Sequence, residues 1–376
     1  MSPSANSVIV VGGGIIGCAC AAALSRQGMH VTLIEAGIIG GGATAAGMGH
    51  LVVMDDNPAE LALTSYSLAL WRKLVAKHAA GHEYHACGTI WVATDEEEMV
   101  AAKLKQENLR AHGIACQMLD AQALAKAEPG LRSGLAGGLK VAGDALVYPP
   151  KSAQLLLDLA LGYGAKLVQG EVSALVPGGV RLADGSAYLA SEVVIANGIA
   201  AATLLPELPL RYKKGHLLIT DRYPDFIHHQ LVELGYIKSA HASDGDSVAF
   251  NLQARPTGQI MIGSSRQFDV RDKAVESAML ARMLDNALQF VPGLNELKAL
   301  RSWTGFRAAS PDGLPLIGQH PEHPHVWLAT GHEGLGITTA LATAELLTNQ
   351  ICGLSSQIDT VPYLPSRFDL SIQPTT

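Results

Sequence analysis

Cysteine and charged side chains are both scarce in this chain of 376 residues. The five cysteines form an odd, scattered set without a Cys-x-x-Cys pair, which argues against a disulfide framework, a zinc knuckle and a cysteine-held iron–sulfur cluster. Charged residues make up 16% of the chain, the net charge is −7, and long runs of like charge are missing, so no nucleic-acid partner is expected. We expect a reducing, cytoplasmic location, with the periphery of the inner membrane as an alternative.

Long apolar segments and flexible linkers are also missing. Residues 8–24 are uncharged and mostly apolar, but no basic residue precedes them and Gly12-Gly13-Gly14 interrupts the run, which argues against an export signal. The run is also shorter than the roughly 20 residues of a typical membrane span. Because the chain has no Pro/Gly/Ser-rich hinge and no internal repeat, we expect domains that interleave along it.

Glycine, in contrast, is abundant, with 39 residues. Gly12-x-Gly14-x-x-Gly17 lies between a short β-branched run and an Ala-rich stretch with helical character, and a second β-branched run ends at Glu35. In such a unit the first glycine makes the turn, the second lets the backbone approach a pyrophosphate, and the third lets helix and strand pack closely. Glu35 would accept hydrogen bonds from both ribose hydroxyls. The pattern predicts a βαβ unit that binds a dinucleotide with an unphosphorylated adenosine ribose; an ordinary Gly-rich turn is the alternative.

Two further Gly-rich segments favour FAD over NAD. One, at 40–49, directly follows the second predicted strand, where a nicotinamide enzyme needs no second flexible phosphate loop. The other, at 331–338, opens the last long helix and would present free N–H groups to the negative charge of a reduced flavin. The alternative for the latter is a plain loop and helix cap.

Other segments carry weaker signals. Thr94-x-x-Glu97 has the spacing of a capping box before a helix over 95–113. The prolines within the segment His320-x-x-His323-x-His325 predict a surface turn, and we predict no metal site. Lys213 and Lys214 are expected to be solvated, although they could steer an anionic substrate. Further strands are predicted at 192–196, 217–220 and 259–264, and further helices near 152–163, 274–290 and 337–351.

The sequence resembles the D-amino-acid oxidase superfamily of FAD enzymes, in particular the branch with glycine oxidase, the sarcosine oxidases and the D-amino-acid and D-hydroxyproline dehydrogenases. Seven segments carry the resemblance in order along nearly the whole chain: VIVVGGGIIG, VTLIEAG, GGGATAAGMG, VVIANGIAA, TGQIMIGSSR, WTGFRAASPDGLPLIG and ATGHEGLGIT. It implies an α/β fold with an α+β substrate part, in which a Rossmann-like FAD-binding domain interleaves with an antiparallel-sheet substrate domain. We expect the FAD-binding domain at 1–84, 145–208 and 303–376, and the substrate domain at 85–144 and 209–302.

The resemblance also assigns site residues. It places noncovalently bound FAD against Gly12, Gly14, Ile15, Gly17, Glu35, Ala36, Ala43, Thr44, Ala46, Gly47, Met48, Val172, Gly198, His332, Glu333, Gly334, Leu335, Gly336, Ile337 and Thr338. Arg307 matches the arginine that grips a substrate carboxylate, and a planar guanidinium suits that role because it binds a carboxylate through two hydrogen bonds. His50 would follow the flavin loop into the active site, for hydrogen bonding or proton transfer.

The chain departs from the family pattern at three places. Gly334 stands where glycine oxidase carries another arginine, and the tyrosine expected near Phe250 is missing. The cysteine that tethers flavin in some relatives is replaced by Ala308-Ala309-Ser310, which excludes a covalent link there.

The expected activity is oxidation of the Cα–N bond of a small amino or imino acid, by hydride transfer to flavin N5. D-Hydroxyproline or D-proline is the leading substrate, glycine or sarcosine the alternative, and a non-catalytic FAD-holding subunit of a heteromeric dehydrogenase the alternative of another class. The electron acceptor (oxygen, a quinone or an electron-transfer protein) and the homo- or hetero-oligomeric state stay open.

Overall fold

A computed structural model describes residues 6–235 and 245–371. The strands of this part of the chain are β1 (Ser7–Val11), β2 (His30–Glu35), β3 (His50–Leu51), β4 (Thr89–Ala93), β5 (Cys116–Asp120), β6 (Gly137–Val141), β7 (Ala145–Leu146), β8 (Lys166–Gln169), β9 (Val172–Val176), β10 (Gly179–Leu182), β11 (Ala187–Leu189), β12 (Glu192–Ile195), β13 (Arg211–Arg222), β14 (Gln230–Glu233), β15 (Ser247–Ala254), β16 (Gln259–Phe268), β17 (Ala299–Ala309), β18 (Leu316–Gln319) and β19 (Val326–Thr330). The helices are α1 (Ile15–Arg26), α2 (Ala43–Ala46), α3 (Pro58–His82), α4 (Glu96–Ala111), α5 (Ala121–Ala127), α6 (Pro149–Gly162), α7 (Ala201–Leu204), α8 (Ser277–Phe290) and α9 (Gly336–Cys352).

The first layer is a sheet in the order β18-β19-β12-β1-β2-β8, parallel except for the antiparallel β18. Side chains on β1 alternate between its two faces. Val8 and Val10 pack with α1, α6 and α9, whereas Ile9 and Val11 pack with residues of the small antiparallel sheet β9–β11. Both faces of the sheet are therefore covered, as expected for a parallel sheet.

The second layer is a mainly antiparallel sheet in the order β17-β13-β16-β15-β14-β4-β6-β5, with β4 and β14 parallel. Alternate residues again separate the two faces. Ile90, Val92 and Leu252 pack with residues of α8 in a second apolar core, whereas Thr89 and Trp91 face a large cavity. The sheet thus presents one face to the protein interior and the other to the cavity between the layers.

The chain passes back and forth between the two layers. The first layer takes its strands from 7–35, 166–195 and 316–330, and the second from 89–141 and 211–309. The mixed α/β fold with a parallel and an antiparallel part is therefore confirmed. The division expected at 302/303 falls inside β17, a strand that is hydrogen-bonded to β13 over most of its length.

Most predicted elements occur in the structure, but one helix cap was wrong. The N-cap of α4 is Asp95, whose side chain accepts from Glu98 N at 2.9 Å, while the Glu98 carboxylate reaches back to Thr94 N at 2.7 Å. The N-cap is thus one residue later than expected. Thr94-x-x-Glu97 and Asp95-x-x-Glu98 both have the spacing of a capping box, so the sequence alone does not choose between them. Within 6–235 and 245–371, no helix has the length and apolar character needed to cross a membrane.

His82, at the end of α3, makes the stability of the fold depend on pH. Its side chain is fully buried, its Nδ1 lies 3.0 Å from Ser152 Oγ, and its ring packs edge-on against Trp71. Burial, assisted by His78, lowers the pKa of His82 to about 4. The folded protein therefore resists the proton that the unfolded chain takes up below about pH 6.5, and stability is lost as the pH falls from about 6.5 towards 4.

We expect the stability of the His82→Gln variant to depend less on pH than that of the parent protein. Lowering the pH from 7 to 5 should reduce the free energy of unfolding of the parent protein by about 2 kcal/mol more than that of the variant. Urea unfolding of the holoprotein at both pH values measures the difference, with exposed His30→Gln as the control. Equal pH dependence in the parent and in His82→Gln would contradict the assignment.

Candidate active site

A cavity of about 870 Å³ lies between the two layers of the fold. Its volume falls in the upper part of the range for ligand pockets, about 300–1,000 Å³. Of the residues predicted from the sequence for cofactor or substrate, all except Gly17 and Thr338 line it. The structure therefore brings together segments from the beginning, the middle and the end of the chain.

The glycines of the first turn have separate structural roles. Gly12 has φ +104°, and a Cβ on it would lie 2.7 Å from the Asn197 Cα. Gly17 lies beneath the turn, where a Cβ would come within 1.8 Å of the Gly12 carbonyl oxygen. A Cβ on Gly14 would meet only Thr44 Oγ1, at 3.5 Å, so its missing side chain leaves room on the cavity side. Gly12 and Gly17 thus shape the turn, while Gly14 opens the N-terminus of α1 to a ligand.

Glu35 ends β2 at the edge of the cavity. Its Oε2 accepts from Gly13 N at 2.5 Å and its Oε1 from Gly37 N at 2.7 Å. A carboxylate has about four acceptor positions, so these bonds orient the group without using its whole capacity. The predicted neighbours Ala36 and Val172 line the same cavity.

The second Gly-rich segment forms α2 and the turn after it. Thr44 Oγ1 accepts from Ile15 N at 3.0 Å, which ties α2 to the first turn of α1. Ala46 O accepts from Trp303 Nε1 at 3.3 Å, and a Cβ on Gly305 would lie 2.4 Å from the Ala46 Cβ. The missing side chain at Gly305 thus allows α2 to lie directly against β17.

The third segment leads into α9. His332 is buried, its Nε2 lies 2.9 Å from Thr343 Oγ1, and burial lowers its pKa to about 3, so it stays neutral at physiological pH. Thr338 lies behind the cavity wall, where its Oγ1 donates to His50 O at 2.9 Å and accepts from Val52 N at 3.3 Å. Its role is to join the start of α9 to β3.

Arg307 lies on β17 and extends into the cavity across the neighbouring strand β13. Its Nη1 donates to Ser265 O, on the strand beyond, at 3.2 Å. Gly334, the position at which an arginine was expected by analogy, lies beside it: a Cβ there would be 3.8 Å from Arg307 Nε.

The prediction that Lys213 and Lys214 are solvated is wrong. Lys213 is 5% exposed and forms an ion pair with Glu333, whereas Lys214 is fully buried on the other face of the sheet, 3.2 Å from Asp272 and 3.0 Å from Glu276. Burial opposes ionisation of Glu333, but the charge and hydrogen bond of Lys213, together with the charges of Arg307 and Arg266, outweigh it and lower the pKa of that carboxyl. The two lysines separate because successive residues of a strand face opposite ways.

His50, on β3, lines the cavity as predicted. Burial lowers its pKa to about 4, although Asn251 and Gln253 beside it favour the protonated form. The imidazole is therefore neutral at physiological pH, and a neutral imidazole has one nitrogen that accepts a hydrogen bond or a proton.

The wall on the far strands of the second sheet was not predicted. It is formed by Trp91, Gln230, Asn251 and Arg266, which share the cavity face with Arg307. Part of this face lies just beyond the predicted strands. Lys213 and Gly215 precede the strand predicted at 217–220, and Arg266 and Phe268 follow the one predicted at 259–264, in the same alternation that brings Leu217 and Ser264 to the cavity.

The His-rich turn is not wholly at the surface, contrary to the prediction. His320 is 1% exposed, and its Nε2 lies 3.2 Å from Glu207 Oε1, with His323 3.7 Å from the same oxygen. However, His320 Nδ1 accepts from Glu322 N at 3.1 Å, so Nε2 carries the proton of the neutral ring. This tautomer suits a hydrogen bond rather than metal ligation.

The described residues fit FAD. Gly14 leaves space at a helix N-terminus, Glu35 ends β2 at the edge of the cavity, and α2 and the start of α9 also line this cavity between the two layers. Residues 7–350 match the family model for FAD dependent oxidoreductases (DAO), and the chain belongs to this family. FAD is accordingly its cofactor.

Several characterised proteins are similar to the chain over nearly its whole length. Glycine oxidase of Pseudomonas putida is 28% identical, covering 96% of this chain and 98% of the relative. The hydrogen cyanide synthase subunit HcnC of Pseudomonas aeruginosa is 26% identical, covering 96% of both chains. The crystal structure of glycine oxidase from Geobacillus kaustophilus superposes with a TM-score of 0.86 at 26% identity, covering 96% of this chain and 98% of the other.

Proposed function

We propose that this protein is an enzyme that oxidises the Cα–N bond of a small amino or imino acid to an imine. The observation that carries the proposal is the Arg307 guanidinium, which extends into the same cavity as the dinucleotide turn. The similarity to glycine oxidases over the whole chain supports it.

In this proposal, Arg307 and His50 bind and orient the substrate. Arg307 binds the α-carboxylate through two parallel hydrogen bonds and thereby fixes the direction of the Cα–H bond. His50, neutral because it is buried, accepts a hydrogen bond from the amine. FAD, when bound, would supply the acceptor for the hydride that leaves Cα. The nitrogen lone pair forms the C=N bond, and the resulting iminium releases one N–H proton to water to give the imine. No separate strong base is needed once the substrate amine is neutral.

Two classes of substrate are candidates. Glycine is supported by the glycine oxidases among the relatives, and sarcosine is its N-methyl derivative. D-Proline and D-hydroxyproline are supported by the far wall of the cavity, where Trp91, Gln230 and Asn251 offer apolar and polar surface that glycine has no atoms to contact. Gly334 adds no second cation beside Arg307, which leaves space for a ring.

Anaerobic mixing of the purified yellow protein with glycine, sarcosine and the two enantiomers of proline and hydroxyproline tests the proposal. We expect at least one amino acid to bleach the flavin absorbance, and a preference for the D-imino acids would favour the second class. Admission of air then separates an oxidase from a dehydrogenase by the rate of reoxidation. Flavin that none of these or other small amino acids bleaches would contradict the proposed activity.

The same experiment addresses a role as an FAD-holding subunit. One relative is a subunit of a synthase, so a heteromeric assembly is a second candidate. A non-catalytic subunit would hold FAD without being reduced by substrate, whereas bleaching of the isolated chain shows that the catalytic residues are complete within it.

A further inference from the structure

The path of Arg307 across the sheet depends on the residue beneath it. Arg307 pairs with Lys213 on β13, and Gly215, the next residue on the same face of β13, pairs with Gly305. The guanidinium lies directly over Gly215: a Cβ there would be 2.7 Å from Nη1, 2.8 Å from Nη2 and 3.0 Å from Cζ. Any side chain at 215 would therefore occupy space that the guanidinium now fills.

An irregularity in the sheet holds the far end of the guanidinium. The β13–β16 pairing shifts register between Lys214 and Leu218. Side-chain contacts enter at this place: Ser265 Oγ accepts from His216 N at 2.9 Å, and Ser265 O accepts from Arg307 Nη1 at 3.2 Å. Gly215 supplies the space and Ser265 O supplies the acceptor that together fix the height and direction of the guanidinium.

We propose that Gly215 is a positioning residue for the substrate carboxylate, acting through Arg307. The inference rests on the proposed function. A methyl group needs roughly 3.5 Å or more from its neighbours, so alanine at 215 displaces the guanidinium by roughly 1 Å. A misplacement of that size in a site that orients its substrate costs about 10²-fold in rate.

Gly215→Ala is expected to have a local effect, because the nearest atoms to the added methyl group belong to the end of the flexible Arg307 side chain. Within 4 Å, the three nearest atoms to the added Cβ all belong to the Arg307 guanidinium, with no backbone atom among them. Gly215 also lacks a positive φ, so alanine fits its strand conformation. The fold and FAD binding therefore survive the change, and the effect appears in substrate binding.

The test compares Gly215→Ala with Gly162→Ala, whose added Cβ meets nothing within 4 Å. Gly215→Ala should lower kcat/KM for the amino acid substrate by about 10²-fold, mainly through KM, and should weaken binding of benzoate, a carboxylate probe followed by the flavin spectrum of the holoenzyme. Gly162→Ala should match the parent in both. Parent-like benzoate binding and kcat/KM in Gly215→Ala would overturn the proposal.

A double-mutant cycle shows whether Gly215 acts through Arg307. If it does, Arg307→Ala and the double variant Arg307→Ala/Gly215→Ala have the same kcat/KM, because the displaced group is gone. If the two losses multiply instead, the proposal fails, although the proposed function stands. Failure of the proposed function differs: no amino acid reduces the parent, or Arg307→Ala retains full kcat/KM.

Discussion

Arg307→Ala is expected to lower kcat/KM for the amino acid substrate by roughly 30-fold to 5,000-fold, since truncating one partner of a buried charge pair costs about 2–5 kcal/mol. The substrate carboxylate would enter the cavity without its guanidinium. Of the other cations that line the cavity, Lys213 is paired with Glu333 and Arg211 with Asp269, and Arg266 lies farther along the sheet, on β16. Steady-state kinetics with the best substrate of the anaerobic panel measures the effect, which should appear strongly in KM.

Two control variants show whether the loss of activity comes from the guanidinium of Arg307. Arg307→Lys keeps the charge but loses the planar fork, so it should recover part of the activity only. Arg301→Ala removes an exposed arginine on the same strand, β17, that is not part of the cavity lining, and should leave kcat/KM unchanged. Parent-like kinetics of Arg307→Ala would show that the carboxylate binds elsewhere.

The cofactor side of the cavity could be predicted because its signals are local. Gly12, Gly14 and Gly17 and the strands around them lie within thirty residues, and Glu35 follows at the end of the second strand. Spacing along the chain alone fixes their arrangement, because a strand, a tight turn and a helix leave few alternatives for these residues. The structure accordingly places Glu35 against the backbone of the glycine turn.

The substrate side could be predicted only in part, since it depends on which strands become neighbours. Arg307 was found by resemblance, but Lys213, Gly215 and Ser265 reach it through the pairing of β13 with β17 and β16, and sequence does not give that register. The burial of Lys213 and Lys214 was missed for the same reason: two charged residues in a row indicate a surface until their acidic partners, Glu333 on one face and Asp272 on the other, are brought close by the fold.

Gly17→Ala is expected to have the largest effect on the cofactor side. The added Cβ would lie 1.8 Å from the Gly12 carbonyl oxygen, a backbone atom that moves only if α1 separates from β1. We expect the variant to lose more than about 4 kcal/mol of stability, which is exceptional for a single substitution, and to be purified without bound FAD. Absorbance of the purified protein and urea unfolding measure both effects.

Gly14→Ala separates the loss of FAD from the loss of the fold. Its Cβ has space in the structure, 3.5 Å from Thr44 Oγ1, so the unfolding free energy of the apoprotein should change by no more than about 1 kcal/mol, the usual cost of alanine at an N-cap. The methyl group would nevertheless stand where the backbone must approach the pyrophosphate, and FAD affinity should fall by at least about tenfold. Gly162→Ala should change neither quantity. If Gly14→Ala binds FAD as tightly as the parent does, the N-terminus of α1 does not hold the diphosphate, and the orientation of the whole cofactor in the cavity must be different.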